Sequence, residues 1–166
     1  MSNQSDPSGF SIRTANAADI PTILALIREL AEYEKLTHEV VASEDSLREA
    51  LFGERRTAEV LLGEVDGSAI GYAVFFHNFS TFLGRPGIYL EDIYVKPECR
   101  GRGFGEAMFR RLGQIAVERR CDRLEWVVLD WNESAIGFYR KLGARPMDEW
   151  TVFRITGQPL RQLAGL

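Results

Sequence analysis

The 166 residues include only two cysteines and two histidines. Cys99 and Cys121 have no short spacing between them, and His38 and His77 lie far from both. That scarcity argues against a metal site and against a disulfide framework. No apolar run approaches the roughly 18 residues needed to cross a bilayer, so no membrane association is expected. Residues 1–9 have neither a basic start nor an apolar stretch. They read as a polar N-terminal tail and not as a secretory leader, and the expected location is the cytoplasm. Basic residues are not in excess either, with 20 Lys and Arg against 24 Asp and Glu and a net charge of −4. This balance argues against a long nucleic-acid surface and suits a cationic ligand.

What is present matches an ordinary globular chain, 45% hydrophobic and 27% charged. Its length fits one domain, placed at residues 10–166, with no internal repeat, low-complexity tract or linker. Phe10 to Thr14 reads as a first strand. Asn16 is a helix cap with Asp19 in the first turn, and Ile20, Ile23, Leu24, Ile27, Leu30 and Ala31 recur at helical spacing, predicting a helix over Asp19 to Tyr33. A second helix is expected after Ser43, running to Phe52, with Gly53 stopping it in a left-handed conformation.

Two β-rich runs, Ala58 to Val65 and Ser68 to Phe79, flank Asp66-Gly67, a strong signal for a tight hairpin. In the next run, Ile88 to Val95, apolar Ile88 and Leu90 keep one parity while Ile93 and Val95 take the other. A slip of parity inside a strand predicts a bulge near Glu91-Asp92. After Gly101, Gly103 and Gly105, a helix ending near Arg120 carries Met108, Leu112, Ile115 and Ala116 inward. Leu124 to Leu129 then reads as a strand, Asn132 to Leu142 as a helix closed by Gly143, and Trp150 to Ile155 as a last strand. The order predicts an α/β (α+β) fold, a mixed central β-sheet flanked by helices, with a βαβ crossover from Ile88 to Leu129.

The segment Arg100-Gly101-Arg102-Gly103-Phe104-Gly105 lies between strand and helix, where free backbone N–H groups and the helix dipole favour an anion. A nucleoside-triphosphate loop needs Gly-Lys-Ser/Thr, but Gly105 is followed by Glu106 and Ala107. A dinucleotide fingerprint needs a small residue at its sixth place, where Glu106 would set a carboxylate against a pyrophosphate.

The remaining pattern, Arg-x-x-Gly-x-Gly after a strand with a bulge, resembles the pyrophosphate loop of the GNAT superfamily of N-acetyltransferases. The rest of the chain follows that family's element order from about Ile12 onward. Tyr89-Leu90-Glu91-Asp92-Ile93-Tyr94-Val95, Leu129-Asp130-Trp131-Asn132 and Phe138-Tyr139-Arg140-Lys141-Leu142-Gly143-Ala144 are similar to the diamine acetyltransferase group, which acetylates spermidine, spermine or thialysine. The stretch Met147-Asp148-Glu149 replaces what looks like a longer loop in that group.

The resemblance implies acetyl-CoA as cosubstrate, no metal, a small cationic amine as acceptor, and a homodimer with active sites near the subunit boundary. It places the cofactor along Arg100, Gly101, Arg102, Gly103, Phe104, Gly105 and Glu106, and along Asn132, Glu133, Ser134 and Ala135. It places the amine by Tyr33, Glu34, Glu91, Asp92 and Glu149.

Acetyl transfer needs a neutral amine, a stabilised oxyanion and a proton for the leaving sulfur. A bulge frees backbone groups from the ladder, so Ile93, Tyr94 and Val95 are expected to hydrogen-bond the acetyl carbonyl and pantetheine. An alkyl ammonium has a pKa near 10.4, so at neutral pH fewer than about one in a thousand is ready to attack. Glu91 is the candidate to take that proton, directly or through a water. A phenol near pKa 10 against an alkyl thiol near 8.5 makes proton donation feasible, and the resemblance makes Tyr139 the general acid. Rival readings are acetylation of protein lysines or N-termini, and a non-catalytic acyl-CoA-binding module.

Overall fold

The computed structural model describes residues 9–166, so the expected tail lies, but for Gly9, outside the described residues. The chain divides into two compact units, the first ending at Val127 and the second spanning Val128–Leu166. The first unit holds β1 (Phe10–Thr14), α1 (Ile20–Tyr33), α2 (Glu44–Phe52), β2 (Glu59–Val65), β3 (Ser68–Ser80), β4 (Arg85–Val95), α3 (Phe104–Glu118) and β5 (Leu124–Glu125).

Helix α1 is entered as its residues dictate. The Ala18 N–H donates to Asn16 Oδ1 at 2.9 Å and the Asn16 N–H donates to Asp19 Oδ2 at 2.7 Å, a reciprocal cap that satisfies two orphan donors. Ile20, Ile23, Leu24, Leu26 and Ala31 are buried, with Ile27 and Leu30 half-buried at the stripe's margin. Ser43 caps α2, accepting from the Ser46 N–H at 3.1 Å.

Gly53 differs from the expectation, because its φ of −72° and ψ of −173° are extended and not left-handed. The requirement for glycine is one of space, since an added Cβ would lie 2.5 Å from the Glu49 carbonyl oxygen. At the β2–β3 hairpin the expectation holds. Asp66 and Gly67 have φ of +50° and +77°, the pair of left-handed residues that a tight primed turn demands.

The sheet has the order β1-β2-β3-β4-β5, antiparallel up to β4 and parallel between β4 and β5 through the α3 crossover. Leu62, Tyr72 and Tyr94 stand opposite one another on three strands and pack with Ile23, Leu26 and Leu51 of the helices above. Neighbouring side chains alternate between faces, so Gly63 turns to the other side. There a Cβ would meet Met108 of α3 at 3.4 Å and the Phe10 ring at 3.2 Å. Helices α1 and α2 therefore cover one face and α3 the other.

The second unit holds α4 (Glu133–Lys141) and α5 (Gly157–Leu163). Asn132 caps α4 by accepting from the Ala135 N–H at 3.2 Å, and Gly143 ends it with φ of +88°. Two expectations fail, one at the end of the first unit and one in the second. The strand expected over Leu124 to Leu129 is only Leu124–Glu125, and Trp150 to Ile155 is not a strand. Val152 and Phe153 have the β-branched and aromatic character of a strand, but that preference is realised only against a neighbour. Among the described residues no strand pairs with them. Helix α5 was not anticipated.

Candidate active site

The predicted bulge is present and centred on one residue. Val74 stands opposite Asp92 and Phe75 opposite Leu90, so Glu91 is the extra residue on β4. Before it, Ile88 and Leu90 face α3 together with His77 and Phe75. After it, Ile93 and Val95 take over that face opposite Ala73 and Gly71, while Asp92 and Tyr94 turn toward α1. The slip of apolar parity in the sequence is this exchange.

On its other side β4 pairs with β5 only at Ile88 with Leu124 and Tyr89 with Glu125. Beyond Tyr89 the strand has β3 on one side and, among the described residues, no strand on the other. Along Leu90 to Val95 that flank, here called the wedge, has no strand partner among the described residues, so an amide-bearing ligand could pair with main-chain groups there that a sheet normally consumes.

Beside the wedge's upper end lies the glycine loop. Gly101 and Gly103 have φ of +75° and +83°, and nothing lies within 4 Å of a Cβ added to either. Gly103 caps α3 with no side-chain hydrogen bond, so the first N–H groups of this 15-residue helix have no intrahelical acceptor. Phe104 holds the helix start in place by stacking on Phe10 with 4.4 Å between ring centroids. The Arg102 guanidinium lies 4.9 Å from the centre of the Phe104 ring. Glu106 accepts from Arg110 at 3.1 Å, a turn further along the helix. Arg100 ties the loop to the sheet. Its Nε donates to the Val95 carbonyl at 2.8 Å and its guanidinium sits 4.5 Å from the centre of the Tyr33 ring.

Tyr33 closes α1, and Glu34 follows it. Glu34 is raised above the usual carboxylate range by burial and then by the charge of Asp92. Asp92 is raised likewise, by burial first and then by Glu91, and Tyr72 partly offsets this by donating its hydroxyl at 3.2 Å. The charge acting most on Glu34 is that of Asp92, and the charge acting most on Asp92 is that of Glu91. Acids that raise one another in this way favour a cationic ligand. Glu91 is exposed on the bulge.

In the second unit, Glu133, Ser134 and Ala135 form the first turn of α4 behind the Asn132 cap. Tyr139 sits in the last turns of that helix, half-buried, its ring 5.6 Å from that of Phe138. Glu149 is exposed between α4 and α5.

Of the residues singled out from sequence, the first unit thus gathers Tyr33, Glu34, Glu91 to Val95 and Arg100 to Glu106. Asn132 to Ala135 and Tyr139 share α4. Two features escaped the sequence reading, the Tyr72 hydroxyl beneath Asp92 and the Arg100 link to Val95. The first depends on the β3–β4 register and the second on the path of the chain between Val95 and Arg100, and no residue pattern specifies either. Among the described residues no three His, Cys, Asp or Glu side chains are grouped to hold a metal ion, and no helix is long and apolar enough to cross a membrane.

The bulged strand and the glycine loop at the helix start both lie within the span that a known family matches. The GNAT acetyltransferase family matches residues 24–144, a span that enters both units. The chain belongs to the acetyltransferase (GNAT) family and is an acetyltransferase. The thialysine N-epsilon-acetyltransferase of Sus scrofa is 45% identical over 165 residues, 93% of this chain and 96% of the relative. The L-ornithine N5-acetyltransferase of Arabidopsis thaliana is 31% identical, over 96% of this chain and 92% of the relative. The solved structure of an integron cassette protein from the mobile metagenome of V. cholerae superposes with a TM-score of 0.80 at 25% identity, covering 94% of this chain and 98% of that one.

Proposed function

We propose that the chain moves the acetyl group of acetyl-CoA directly onto a primary amine of a small cationic substrate, a polyamine or a lysine-like amino acid such as thialysine. The observation that carries this reading is the bulge at Glu91, which sets an extra carboxylate-bearing residue beside the open flank of β4. Two relatives that act on thialysine and on L-ornithine support an amine at the end of a short chain.

The residues present fit the cofactor. The open, left-handed glycines and the uncapped start of α3 give Arg100 to Glu106 the backbone donors that a pyrophosphate needs, with Arg102 adding charge. When bound there, acetyl-CoA supplies an activated thioester. Main-chain groups of Ile93, Tyr94 and Val95 hold the acetyl carbonyl and pantetheine along the wedge, and Asn132, Glu133, Ser134 and Ala135 line the cofactor from α4.

Glu34 and Asp92 draw the ammonium into a half-buried acidic corner beside Tyr33, and Glu149 is a further amine contact that the family resemblance implies. Glu91 accepts the proton that the amine must lose, directly or through a water. Tyr139 returns a proton to the departing sulfur. Burial pushes the Cys121 thiol up and away from the reactive thiolate, which makes it a poor acyl acceptor and favours direct transfer. The working form is a homodimer in this reading, as the family resemblance implies, and light scattering tests it.

The deciding experiment measures thiol release from acetyl-CoA with spermidine, putrescine, lysine, ornithine, thialysine and a lysine-bearing peptide. Turnover of a small amine with kcat/KM well above that of the peptide is expected. Preference for the peptide assigns a protein acetyltransferase. Calorimetric binding of acetyl-CoA with no amine turned over assigns an acyl-CoA-binding module.

A further inference from the structure

We infer that Tyr72 is a positioning residue of the amine site, its hydroxyl orienting the Asp92 carboxylate from beneath the bulge toward the cation that Asp92 and Glu34 share. The inference rests on the acetyl-transfer reading and adds a residue that no sequence motif marks.

Tyr72 is fully buried at the centre of β3, opposite Tyr94 and two residues before Val74, the partner of Asp92. The bulge leaves Asp92 and Tyr94 on the α1 face, the side to which Tyr72 also points. Its ring packs 6.4 Å from that of Tyr94 among the core residues of α1 and α2, so the phenol has almost no rotational freedom. From that fixed point the hydroxyl donates to Asp92 Oδ2 at 3.2 Å.

One carboxylate oxygen is therefore oriented by the core, and the other remains for a ligand. Burial and the charge of Asp92 push the Tyr72 phenol up, so it remains a donor at every working pH. The groups facing Asp92 are Glu91 on its own strand, Tyr72 on β3 and Glu34 at the end of α1. Around Tyr94, its neighbour on β4, stand Glu29 and Arg100, and Lys96 pairs with Glu29. The Tyr72 hydrogen bond favours the charged form of Asp92, whereas burial and Glu91 oppose it, and Asp92 in turn opposes the charged form of Glu34.

The test replaces Tyr72 by Phe, which keeps the ring and removes only the donor. Loss of one hydrogen bond to a charged group predicts a rise of about tenfold in amine KM, with coenzyme A affinity by calorimetry within about twofold of the parent. Removing the donor raises the Asp92 pKa, so the acid limb of kcat/KM for the amine moves to higher pH. A packing defect leaves that limb in place.

In Asp92→Asn the same Tyr72→Phe change adds no further loss, so the double variant matches Asp92→Asn alone. Additive losses, or an unmoved acid limb with unchanged KM, overturn the inference. A parent enzyme that acetylates no amine overturns the acetyl-transfer reading and the assigned role together. In that case carbon NMR titration of the Asp92 carboxyl in parent and Tyr72→Phe still reports whether the hydroxyl controls Asp92, which separates the two failures.

Discussion

Tyr94 donates its hydroxyl to Glu29 across 3.2 Å, fastening β4 to helix α1 beside the acidic corner. Glu29 also pairs with Lys96 at 3.5 Å, just past the end of β4. Burial and the Glu29 charge push the Tyr94 phenol up to about 12, so it remains a donor across the physiological range. Strand, helix and loop entrance are held by one cluster, and the side chains assigned to chemistry stand on rigid elements.

Tyr139→Phe is expected to bind coenzyme A within about twofold of the parent while kcat falls roughly 100-fold or more, the usual worth of a positioned proton donor. Calorimetry and steady-state rates with the best amine measure both. An unchanged kcat removes the donor role from Tyr139.

Asp92→Asn is expected to melt higher than the parent at neutral pH while losing amine affinity. Burial raises the folded-state pKa of Asp92 above its unfolded value of about 3.9. The folded state therefore favours the protonated acid, and stability is lost as pH rises through the interval between the two values. The amide has no charge to bury, so near pH 7 it gains roughly 3 °C, the scale of about 1 kcal/mol in a chain of this size. Thermal melts at pH 7.5 that rank the variant below the parent contradict this.

Gly103→Ala places a Cβ on a residue with φ of +83°, where open surroundings leave the backbone conformation as the whole penalty. That penalty is about 1–2 kcal/mol. Relaxation of the loop also weakens coenzyme A binding about tenfold. Denaturant titration and calorimetry report the two effects separately, and an unaltered cofactor affinity argues that the loop does not hold the pyrophosphate.

Arg13 donates to Asp19 at 2.7 Å and 2.8 Å and to Glu64 at 2.7 Å, linking the edge strand to the helix cap. Its hydrogen bonds hold Asp19 below the usual carboxylate range. The resulting stability is present above the unfolded pKa of about 3.9 and is lost as pH falls through the folded value. Arg13→Met is therefore expected to flatten the fall in melting temperature below about pH 4, and identical acid slopes for the two proteins refute it.

Local signals in the sequence carried much of this architecture. Asn16, Ser43 and Asn132 announce their helices, Asp66-Gly67 its hairpin, and the change of apolar parity at Glu91 its bulge, because each is written within a few neighbouring residues. Pairwise geometry was not legible. Tyr72 reads as any strand aromatic until register sets it beneath Asp92, and no residue pattern marks the Nε link from Arg100 to the Val95 carbonyl. The misread run at Trp150 shows the same limit, since strand character is a property of a pair.

The open flank of β4 divides the labour of this strand between its main chain and its side chains. In the proposed reading, recognition of the thioester arm along the wedge falls to backbone atoms, which nearly every substitution preserves, and choice of acceptor falls to Asp92 and its surroundings on the α1 face. A few side-chain changes there would then exchange one acceptor for another without touching the donor end of the reaction.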